Sequence, residues 1–597
     1  MKLNKLYRKI DKYDVISFDI FDTLIIRAVN NPKQIFDVVG NNFNEFFQKK
    51  TNDYKEKRIL CEKKITDHVP NLDDIYVEMA KFYTKEECNW LKNNEIETEK
   101  KYCILNRKIQ KLYNYCIEKN KIIYAVSDMY LPSKILKEIL QKCGYNKIKK
   151  IIVSCEKGYT KDSGLLFKEI PYNKNKILHI GDSFKADYLG AHRAGIKSIK
   201  ISRKHFDNSN DNYEQIININ DKFNNYFYNI GYKKLGLVLL MFARWIEENL
   251  RKKKINKIYF LAREGKIYKD VFDLLYTNKY ETKYLYISRK SITIANYHYR
   301  KFNNLTEILD YFTIKKNSTI NDAINYLNVS IKFDKNKMTS IFKMNDCIYN
   351  YVNDDLLYKE LSNKIQQESR KVNNETLAYF EQENIENDFA IVDIGWNGTM
   401  QKCLGEFLKN NNVNFNMNGF YFTLFKKLRN ASSFVKNDDF IFDSIKDNPI
   451  LLENLFQCVD GSTIGYKKVD NKIIPVKRKI EFDDYSQCAI KEIDKGIIDF
   501  INIWKTYGFV NNYSILYNKA MYNLSKFIDK PSKQSVIMFS NFKYSDTKVS
   551  NIIYTKTNLF NIKNGIVLSG WKYGYLKKIF KFNFNYKKIV KVLKRCK

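Results

Sequence analysis

VISFDIFDTLII (residues 15–26) is the stretch that decides the fold of the N-terminal part of the chain. It begins with mostly apolar residues, which is typical of a strand buried on both faces, and then reaches an acid at Asp19. Three further runs of this kind follow it: KIIYAVSD (121–128), KIIVS (150–154) and KILHIGD (176–182). Strands that alternate with helical segments predict an α/β fold with a doubly wound, Rossmann-like parallel sheet.

The segment between the first two strands is charged and helix-periodic over residues 33–120. We expect it to form a helical cap, at about residues 30–115, over the edge of the sheet. The polar stretch HFDNSNDNYEQ (205–215) predicts a domain boundary. The expected domains are residues 1–205, a second α/β domain over residues 215–470, and a C-terminal region over residues 471–597 that ends in a helical basic tail.

Four segments of the first domain each carry a side chain that phosphoryl transfer needs. Asp19 ends the first strand, where open α/β sheets bind ligands, and its carboxylate can attack phosphorus. Ser127 ends the next strand with a hydroxyl suited to a phosphoryl oxygen, and Lys161 supplies a fixed positive charge. Asp182 and Asp187 supply the hard oxygen ligands that Mg²⁺ prefers. The order of these segments predicts one phosphate-handling site.

These segments resemble those of haloacid-dehalogenase-type (HAD) hydrolases across roughly residues 10–203. The resemblance implies a phosphatase with an aspartyl-phosphate intermediate, Mg²⁺ as the cofactor, and Asp19 as both nucleophile and metal ligand. It also implies that Ser127 and Lys161 bind the phosphoryl group. Asp182 would hold the metal, with Asp187 in support.

One position departs from the HAD pattern. HAD phosphatases usually carry a second aspartate two residues after the nucleophile, as general acid and base, and Phe21 stands at that position. Asp22 is the candidate for the missing catalytic role, and Thr23 is expected to hydrogen-bond the substrate. Dehalogenating members also lack the second aspartate, so the substitution bears on the reaction type and leaves the predicted fold unchanged.

The second domain carries three segments of its own: FLAREGKIY (260–268), YISRKS (286–291) and VDIGWNGTMQ (392–401). The last is a strand that ends in an acid and runs into a glycine-containing loop, which suits a phosphate at a helix start. Arg263 and Arg289 each follow a predicted strand and are candidates for gripping a pyrophosphate. The simpler interpretation is an ordinary strand–turn–helix connection with arginines on the surface.

The arrangement resembles the substrate loop of type I phosphoribosyltransferases, although Val392 replaces one acid of the usual tandem pair and the loop is one residue shorter. The resemblance implies that Asp393 binds ribose hydroxyls and that Arg263 binds the pyrophosphate of phosphoribosyl pyrophosphate. The 5-phosphate would be bound by the loop residues Asn397, Gly398 and Thr399.

The two domains together resemble paired enzymes, and HAD-containing proteins, of bacterial capsule and O-antigen gene clusters. In such pairs a phosphoribosyltransferase moves ribofuranose 5-phosphate to a growing glycan, and a HAD phosphatase then removes the 5-phosphate. The alternative is a HAD phosphatase whose C-terminal half binds substrate or glycan with other chemistry. A third interpretation treats Phe21 as a sign of decay and the chain as a membrane-bound scaffold.

The formal net charge of +36, from 103 Lys and Arg against 67 Asp and Glu, indicates attraction to polyanions or an anionic membrane, or a Lys-rich coding bias. The eleven cysteines form no CxxC pair, which favours a reducing cytosol and argues against structural zinc. We find no signal peptide at the start and no apolar run long enough to span a bilayer. The expected location is the cytoplasm.

The last 27 residues, Trp571 to Lys597, contain ten Lys or Arg and no acid. Aromatic and aliphatic residues recur among them at spacings of three and four, which predicts an amphipathic helix. That helix would either lie on the anionic inner face of the cytoplasmic membrane, near a glycan acceptor on a lipid carrier, or pack on the domain by its apolar face. No nucleic-acid partner is expected, because no DNA- or RNA-binding motif is present.

Overall fold

The computed structural model describes residues 3–202, 211–219, 225–327, 343–479, 482–510, 512–545, 549–556, 562–582 and 584–595. The chain divides into two compact units, the first formed by residues 1–222 with 503–513 and the second by residues 223–502 with 514–597. The α/β architecture predicted for both is confirmed. The predicted boundary near residue 470 stays a prediction.

The first unit is built on a five-stranded sheet. In the described residues the strands of the unit are seven in all: β1 (Val15–Asp19), β2 (Ile25–Arg27), β3 (Cys103–Leu105), β4 (Ile122–Ser127), β5 (Lys150–Val153), β6 (Ile177–Gly181) and β7 (Lys197–Lys200). Five of them form one parallel sheet in the order β5-β4-β1-β6-β7. In this order the direction in which strands are added reverses beside β1, and ligands bind at such a switch point in open α/β sheets.

Alternating side chains of this sheet enter two apolar clusters. Ile16 and Phe18 of β1 belong to one cluster and Val15 to the other. Because successive side chains of a strand point to opposite faces, this division means that both faces of β1 are covered. The near-continuous apolar sequence of the strand follows from that burial.

The predicted helical cap is confirmed. It is joined to the core by a pair of short strands that sequence analysis did not predict. Its helices are Gln34–Phe46, Tyr54–Lys64, Leu72–Met79 and Lys85–Tyr102. The chain leaves and re-enters the core through β2 and β3, which pair antiparallel with Ile25 opposite Leu105. The other α-helices of the first unit are Leu3–Ile10, Arg107–Glu118, Ser133–Lys142, Ser154–Lys157, Leu165–Lys168, Gly190–Arg193 and Tyr213–Ile219.

The second unit contains a second parallel sheet. Its strands are β8 (Lys257–Leu261), β9 (Glu281–Leu285), β10 (Asn387–Trp396), β11 (Phe415–Leu424) and β12 (Ala431–Val435), in the order β12-β11-β10-β8-β9. The switch point of this sheet lies between β8 and β10. Two antiparallel pairs follow, β13 (Thr463–Val469) with β14 (Lys472–Lys477) and β15 (Lys543–Ser545) with β16 (Val549–Asn551).

Helices cover the second sheet and form the C-terminal part of the chain. They are Tyr226–Ile230, Gly236–Lys253, Gly265–Leu275, Arg289–Asn296, Leu305–Tyr311, Ile320–Leu327, Asp355–Gln382, Thr399–Asn410, Phe442–Asp447, Pro449–Phe456, Asp484–Tyr507, Tyr513–Asp529, Lys533–Ser540, Ile562–Leu568, Lys572–Phe580 and Tyr586–Arg595. Within the described ranges, no helix is long and apolar enough to cross a bilayer.

The basic tail forms two helices where the sequence predicts one. Lys572–Phe580 is preceded by Trp571, which is fully buried, and Tyr575 and Leu576 of that helix are buried too. In Tyr586–Arg595 the buried side chains include Tyr586 and Val590. The first helix therefore packs against its own unit by its apolar side chains. Residues 596 and 597 lie outside the described residues.

Candidate active site

The carboxylates predicted to bind a metal meet at the switch point of the first sheet. Asp19 ends β1, and Asp182 and Asp187 follow β6, the neighbouring strand. Each of the three residues offers an oxygen atom, and these atoms lie within 4.8 Å of one another. Asp19 and Asp187 are buried and Asp182 is half-buried. Three hard oxygen donors so close together match the ligand set of a magnesium site.

Lys161 joins two of these carboxylates. Its ammonium donates to Oδ1 of Asp19 at 2.6 Å and to Oδ1 of Asp187 at 2.5 Å. Asp187 also accepts, through Oδ2, the backbone N–H of Ser183 at 2.8 Å. The backbone N–H of Lys161 donates to Asp128 Oδ1 at 2.8 Å. Lys161 is therefore fixed at both its backbone and its charged end, as charge stabilisation in a transition state requires.

Two features of the loop after β6 allow the Asp187 side chain to come close to the end of that strand. A Cβ at Gly181 would lie 2.3 Å from Cγ of Asp187, so only glycine leaves room for that side chain. Phe184–Leu189 is a π-helical turn, capped by the Ser183 side chain, which accepts the N–H of Ala186. Such turns are frequent at functional sites, and this one brings Asp187 back to the strand end.

The pKa shifts of Asp19 and Lys161 indicate that the carboxylates of the cluster carry more negative charge than the Lys161 ammonium balances. Burial, together with the nearby Asp187 and Asp182, raises the pKa of Asp19 to about 8, although Lys161 opposes the shift. Burial alone would lower the pKa of Lys161, but Asp19 and Asp187 outweigh it and raise that pKa well above its ordinary value. A bound cation would remove the excess of negative charge.

A buried histidine behind the cluster escaped sequence analysis. His179 of β6 is fully buried, and its Nε2 lies 3.2 Å from Asp187 Oδ1. Its Nδ1 lies 2.8 Å from the hydroxyl of Ser17 on β1. Burial lowers the pKa of His179, which favours the neutral ring. The chain Ser17–His179–Asp187 thus supports the carboxylate that holds Lys161.

The remaining predicted residues of the first unit line the ends of β1 and β4. Ser127 is buried at the end of β4, one residue beyond Val126, the register partner of Asp19. Asp22 has a left-handed backbone with φ of 61° in the turn after β1. The Thr23 hydroxyl is buried and has no hydrogen-bond partner among the described residues. The catalytic roles of these residues stay predictions.

Asp393 lies at the switch point of the second sheet, on β10. Burial raises its pKa to about 7, and the neighbouring carboxylates Glu264 and Glu453 contribute to that rise. Glu264 is the last residue of the turn after β8, immediately before the helix Gly265–Leu275, and is buried. Sequence analysis singled out the adjacent Arg263 and not Glu264, although the acid is the residue that accompanies Asp393.

The other predicted residues of the second unit occupy the loops at the same sheet edge. Arg263 is half-buried after β8, and Arg289 is exposed at the start of its helix. No ion pair joins either arginine to Asp393 within the described part of the chain. Of the predicted loop residues, Asn397 and Gly398, the latter with φ of 64°, lie between β10 and the helix Thr399–Asn410, and Thr399 is the first residue of that helix.

No protein-family model and no curated protein matches this chain. Solved structures that are similar to it are HAD-superfamily hydrolases. YfnB of Bacillus subtilis, described as a HAD-hydrolase bound to magnesium, is 18% identical with a TM-score of 0.25, over 32% of this chain and 89% of that one.

A HAD phosphatase from Thermococcus onnurineus and a 2-haloacid dehalogenase from Pseudomonas syringae are each 14% identical with a TM-score of 0.26, over 33% of this chain and 90% of theirs. At such identities and TM-scores the likeness carries no reaction over to this chain. What its first unit can do follows from the geometry of Asp19 and Lys161.

Proposed function

We propose that the first unit is a Mg²⁺-dependent phosphatase that works through an aspartyl-phosphate on Asp19. The observation that carries the proposal is the buried Asp19 carboxylate at a strand end, held by Lys161 at 2.6 Å with two further carboxylates beside it. In this mechanism Asp19 Oδ attacks phosphorus and the substrate oxygen leaves. Water then attacks the phosphorus of the aspartyl-phosphate, which releases phosphate and restores Asp19.

The residues of the first unit divide the work of this reaction. Asp19 and Asp182 would hold Mg²⁺, with Asp187 in support, and the bound ion would offset the negative charge of carboxylates and phosphate. Lys161 compensates the charge that develops on the phosphoryl oxygens. Ser127 would bind one of those oxygens.

Protonation of the leaving oxygen falls to Asp22 in this proposal. The aspartate usual in HAD phosphatases is replaced by Phe21, and Asp22 is the next carboxyl group of the same turn. Because the φ of Asp22 is positive, the backbone turns at this residue and does not continue in the direction of β1. A leaving group of low pKa needs no protonation, so Asp22→Asn is expected to slow hydrolysis of alkyl phosphates more than that of p-nitrophenyl phosphate.

Phosphate release from a generic phosphomonoester tests the first proposal. The full chain with Mg²⁺ is expected to release phosphate, and Asp19→Asn and Lys161→Met are each expected to lower kcat by about a thousandfold or more. Asp162→Asn serves as the control, since this acid follows Lys161 but pairs with Lys185. Equal loss in all three variants would contradict the assignment.

For the second unit we propose phosphoribosyl transfer, which would add ribofuranose to a bacterial surface polysaccharide before the first unit removes the 5-phosphate. Asp393 at the switch point supports it, as does the helix that begins at Thr399 directly after the loop. Lys290 lies beside Arg478, and burial together with that second cation lowers the pKa of Lys290. Adjacent cations of this kind suit a pyrophosphate.

Pyrophosphate release from phosphoribosyl pyrophosphate tests the second proposal. Asp393→Asn is expected to abolish the release, while Asp388→Asn at the other end of β10 leaves it unchanged. If the full chain binds glycan but releases no pyrophosphate with any acceptor, the alternative of substrate or glycan binding with other chemistry is favoured.

Peripheral membrane contact is part of this proposal, because the acceptor glycan would sit on a lipid carrier. Phe582, Phe584 and Val592 of the tail are 71%, 51% and 58% exposed. Lys588 and Val592 lie four residues apart in the helix Tyr586–Arg595, so a basic and an apolar side chain share one exposed helix face. Such a face suits the boundary of an anionic bilayer.

A further inference from the structure

The switch point of the second sheet holds a buried hydroxyl that has no partner. Tyr268, in the helix after β8, is 2% exposed, and its hydroxyl makes no hydrogen bond to any described residue. A buried polar group without a partner destabilises the folded state, so proteins rarely keep one without use. The Tyr268 hydroxyl therefore marks a place where a ligand atom or an ordered water completes the structure.

Two acids, Glu264 and Asp393, stand at the same edge of the sheet as the start of this helix, because β8 and β10 are paired with Phe260 opposite Val392. Burial raises the pKa of Tyr268, and Glu264, Asp393 and Glu453 raise it further. The Tyr268 ring makes edge-to-face contacts with Phe242 at 5.2 Å and with Phe456 at 5.5 Å between ring centres. We call Tyr268 together with Glu264, Asp393 and Glu453 the acidic pocket.

Trp396 forms one side of the acidic pocket. Its indole N–H donates to Glu453 Oε1 at 2.5 Å, and its ring stacks on Phe425 at 5.0 Å. The chain reaches this position through two residues with positive φ, Gly395 at 113° and Trp396 itself at 69°. A Cβ at Gly395 would lie 2.0 Å from the carbonyl oxygen of Thr423, so the strand can bend there only at a glycine.

A left-handed backbone is unfavourable at a bulky residue, and such positions cluster at functional sites. At this strained position the Trp396 ring lies beside the Glu453 carboxylate, at the carboxyl end of the sheet. Aromatic faces pack against the C–H groups of sugar rings, while carboxylates accept their hydroxyl hydrogens.

The chemistry of the acidic pocket selects among ligand classes. Ionised carboxylates only accept hydrogen bonds, whereas the Tyr268 hydroxyl needs an acceptor for its own proton. Neighbouring sugar hydroxyls both donate and accept, so one sugar ring can satisfy both requirements. A cation suits the pocket less well, because within the described residues only Asp19, Asp182 and Asp187 bring three carboxylate oxygens within 4.8 Å of one another.

We infer that the acidic pocket is a saccharide site, in which Glu264 and Asp393 accept ring hydroxyls, Tyr268 donates to a sugar oxygen, and Trp396 covers the apolar face of the ring. The inference deepens the proposed function of the second unit and rests on it only for the choice of ribose as the first probe. It adds Glu264, Tyr268 and Trp396 to a site for which the sequence offered Asp393.

Saturation-transfer NMR on the full chain tests the inference with unphosphorylated probes: D-ribose and the methyl glycosides of glucose and galactose. Probes without phosphate are chosen because the first unit is proposed to bind phosphorylated sugars. At least one probe is expected to receive saturation, and Tyr268→Phe and Glu264→Gln are each expected to weaken that signal by about fivefold or more.

Thermal unfolding separates a ligand-binding role from a structural one. Tyr268→Phe removes a hydroxyl that has no partner, so its melting temperature is expected to equal or exceed that of the parent chain. Tyr259→Phe is the matched control, since the Tyr259 hydroxyl donates to the carbonyls of Glu383 and Asn384 at 2.8 and 2.7 Å. The control is expected to lose stability and keep the saccharide signal.

Two outcomes of the NMR experiment would overturn the inference: no probe receives saturation, or the signal survives both substitutions. A third would come from Mn²⁺ binding, measured in a chain that carries Asp19→Asn to remove the metal site of the first unit. If that chain binds Mn²⁺ and Glu264→Gln abolishes the binding, the pocket is a cation site. Failure of phosphoribosyl transfer looks different. In that case pyrophosphate is never released, while a saccharide signal that depends on Tyr268 persists and supports the inference.

Discussion

The guanidinium of Arg27 lies 4.0 Å from the centre of the Phe21 ring. Arg27 also donates to both carboxylate oxygens of Glu99, at 2.9 and 3.0 Å, and both members of that ion pair are buried. Glu99 belongs to the cap helix Lys85–Tyr102. Phe21, which is half-buried and stands where HAD phosphatases usually carry a second aspartate, therefore stacks on a buried ion pair that ties the start of the cap to its last helix.

Breaking this stack is expected to destabilise the first unit. Arg27→Met leaves the Glu99 carboxylate buried without its cation, which typically costs about 3–5 kcal/mol. Arg300→Met is the matched control, because Arg300 pairs with Glu406 while both are about half exposed, and such pairs contribute below about 1 kcal/mol. Urea unfolding measures both, and equal effects would contradict a structural role for the stack.

His179 is expected to act on catalysis through Asp187 without touching the substrate. His179→Asn and Ser17→Ala loosen the carboxylate that orients Lys161, and losses of such supporting residues typically cost about 10- to 100-fold in activity. We expect the loss in kcat, with KM nearly unchanged, in steady-state assays of phosphate release. His192→Asn, at an exposed histidine, should leave kcat unaltered. A change confined to KM would refute this role.

Asp393 is expected to make the stability of the second unit depend on pH. Its pKa rises from the ordinary value of 3.8 to about 7 in the folded chain, so the folded state holds a proton that the unfolded state has lost. The stabilisation is therefore complete below pH 3.8 and is lost as the pH rises through 7. At about 1.4 kcal/mol per pH unit the full effect is on the order of 4 kcal/mol.

Asp393→Asn checks this pH dependence, because the amide is neutral at every pH. The variant is expected to unfold at a higher temperature than the parent chain at pH 8, and by less than half that margin at pH 5, because part of the stabilisation is already lost between pH 3.8 and 5. Asp388→Asn, at an exposed position of the same strand, provides the comparison. A parent chain whose second-unit transition does not move between pH 5 and 8 would contradict the expectation.

The tail is expected to bind anionic vesicles. The full chain should float with phosphatidylcholine vesicles that contain phosphatidylserine and remain unbound with pure phosphatidylcholine. The double substitution Phe582→Ser with Phe584→Ser should weaken that binding by about tenfold, because two exposed rings can no longer insert between the lipid headgroups and the acyl chains. Phe46→Ser, at a ring 64% exposed in the first unit, is the control. Binding to RNA instead of vesicles would contradict the assignment.

Much of the first site could be predicted because strand ends are visible in a sequence. The buried run before Asp19 and the GD of residues 181–182 each indicate where a strand meets a loop, and the carboxyl ends of parallel strands meet at one edge. His179 was missed because a histidine inside an apolar strand gives no sign of its partners. The strands β2 and β3 were missed because three residues carry too little periodicity.

The second site was harder to predict for a different reason. Tyr268 falls at an apolar position of an amphipathic helix, where a tyrosine is ordinarily core, and its unpartnered hydroxyl is visible only in three dimensions. Glu264 stands beside Arg263, and the sequence cannot tell which of two adjacent charged residues turns toward the sheet. The long-range contacts that fix the choice leave no local pattern.

Trapping the phosphoenzyme tests the central claim most directly. The full chain is mixed with a phosphomonoester and Mg²⁺, quenched with acid within one turnover, digested and examined by mass spectrometry. The account predicts one phosphate on the peptide that carries Asp19, none without Mg²⁺ and none in Asp19→Asn. Release of phosphate with no adduct on that peptide, or with an adduct on another residue, would contradict Asp19 as the nucleophile.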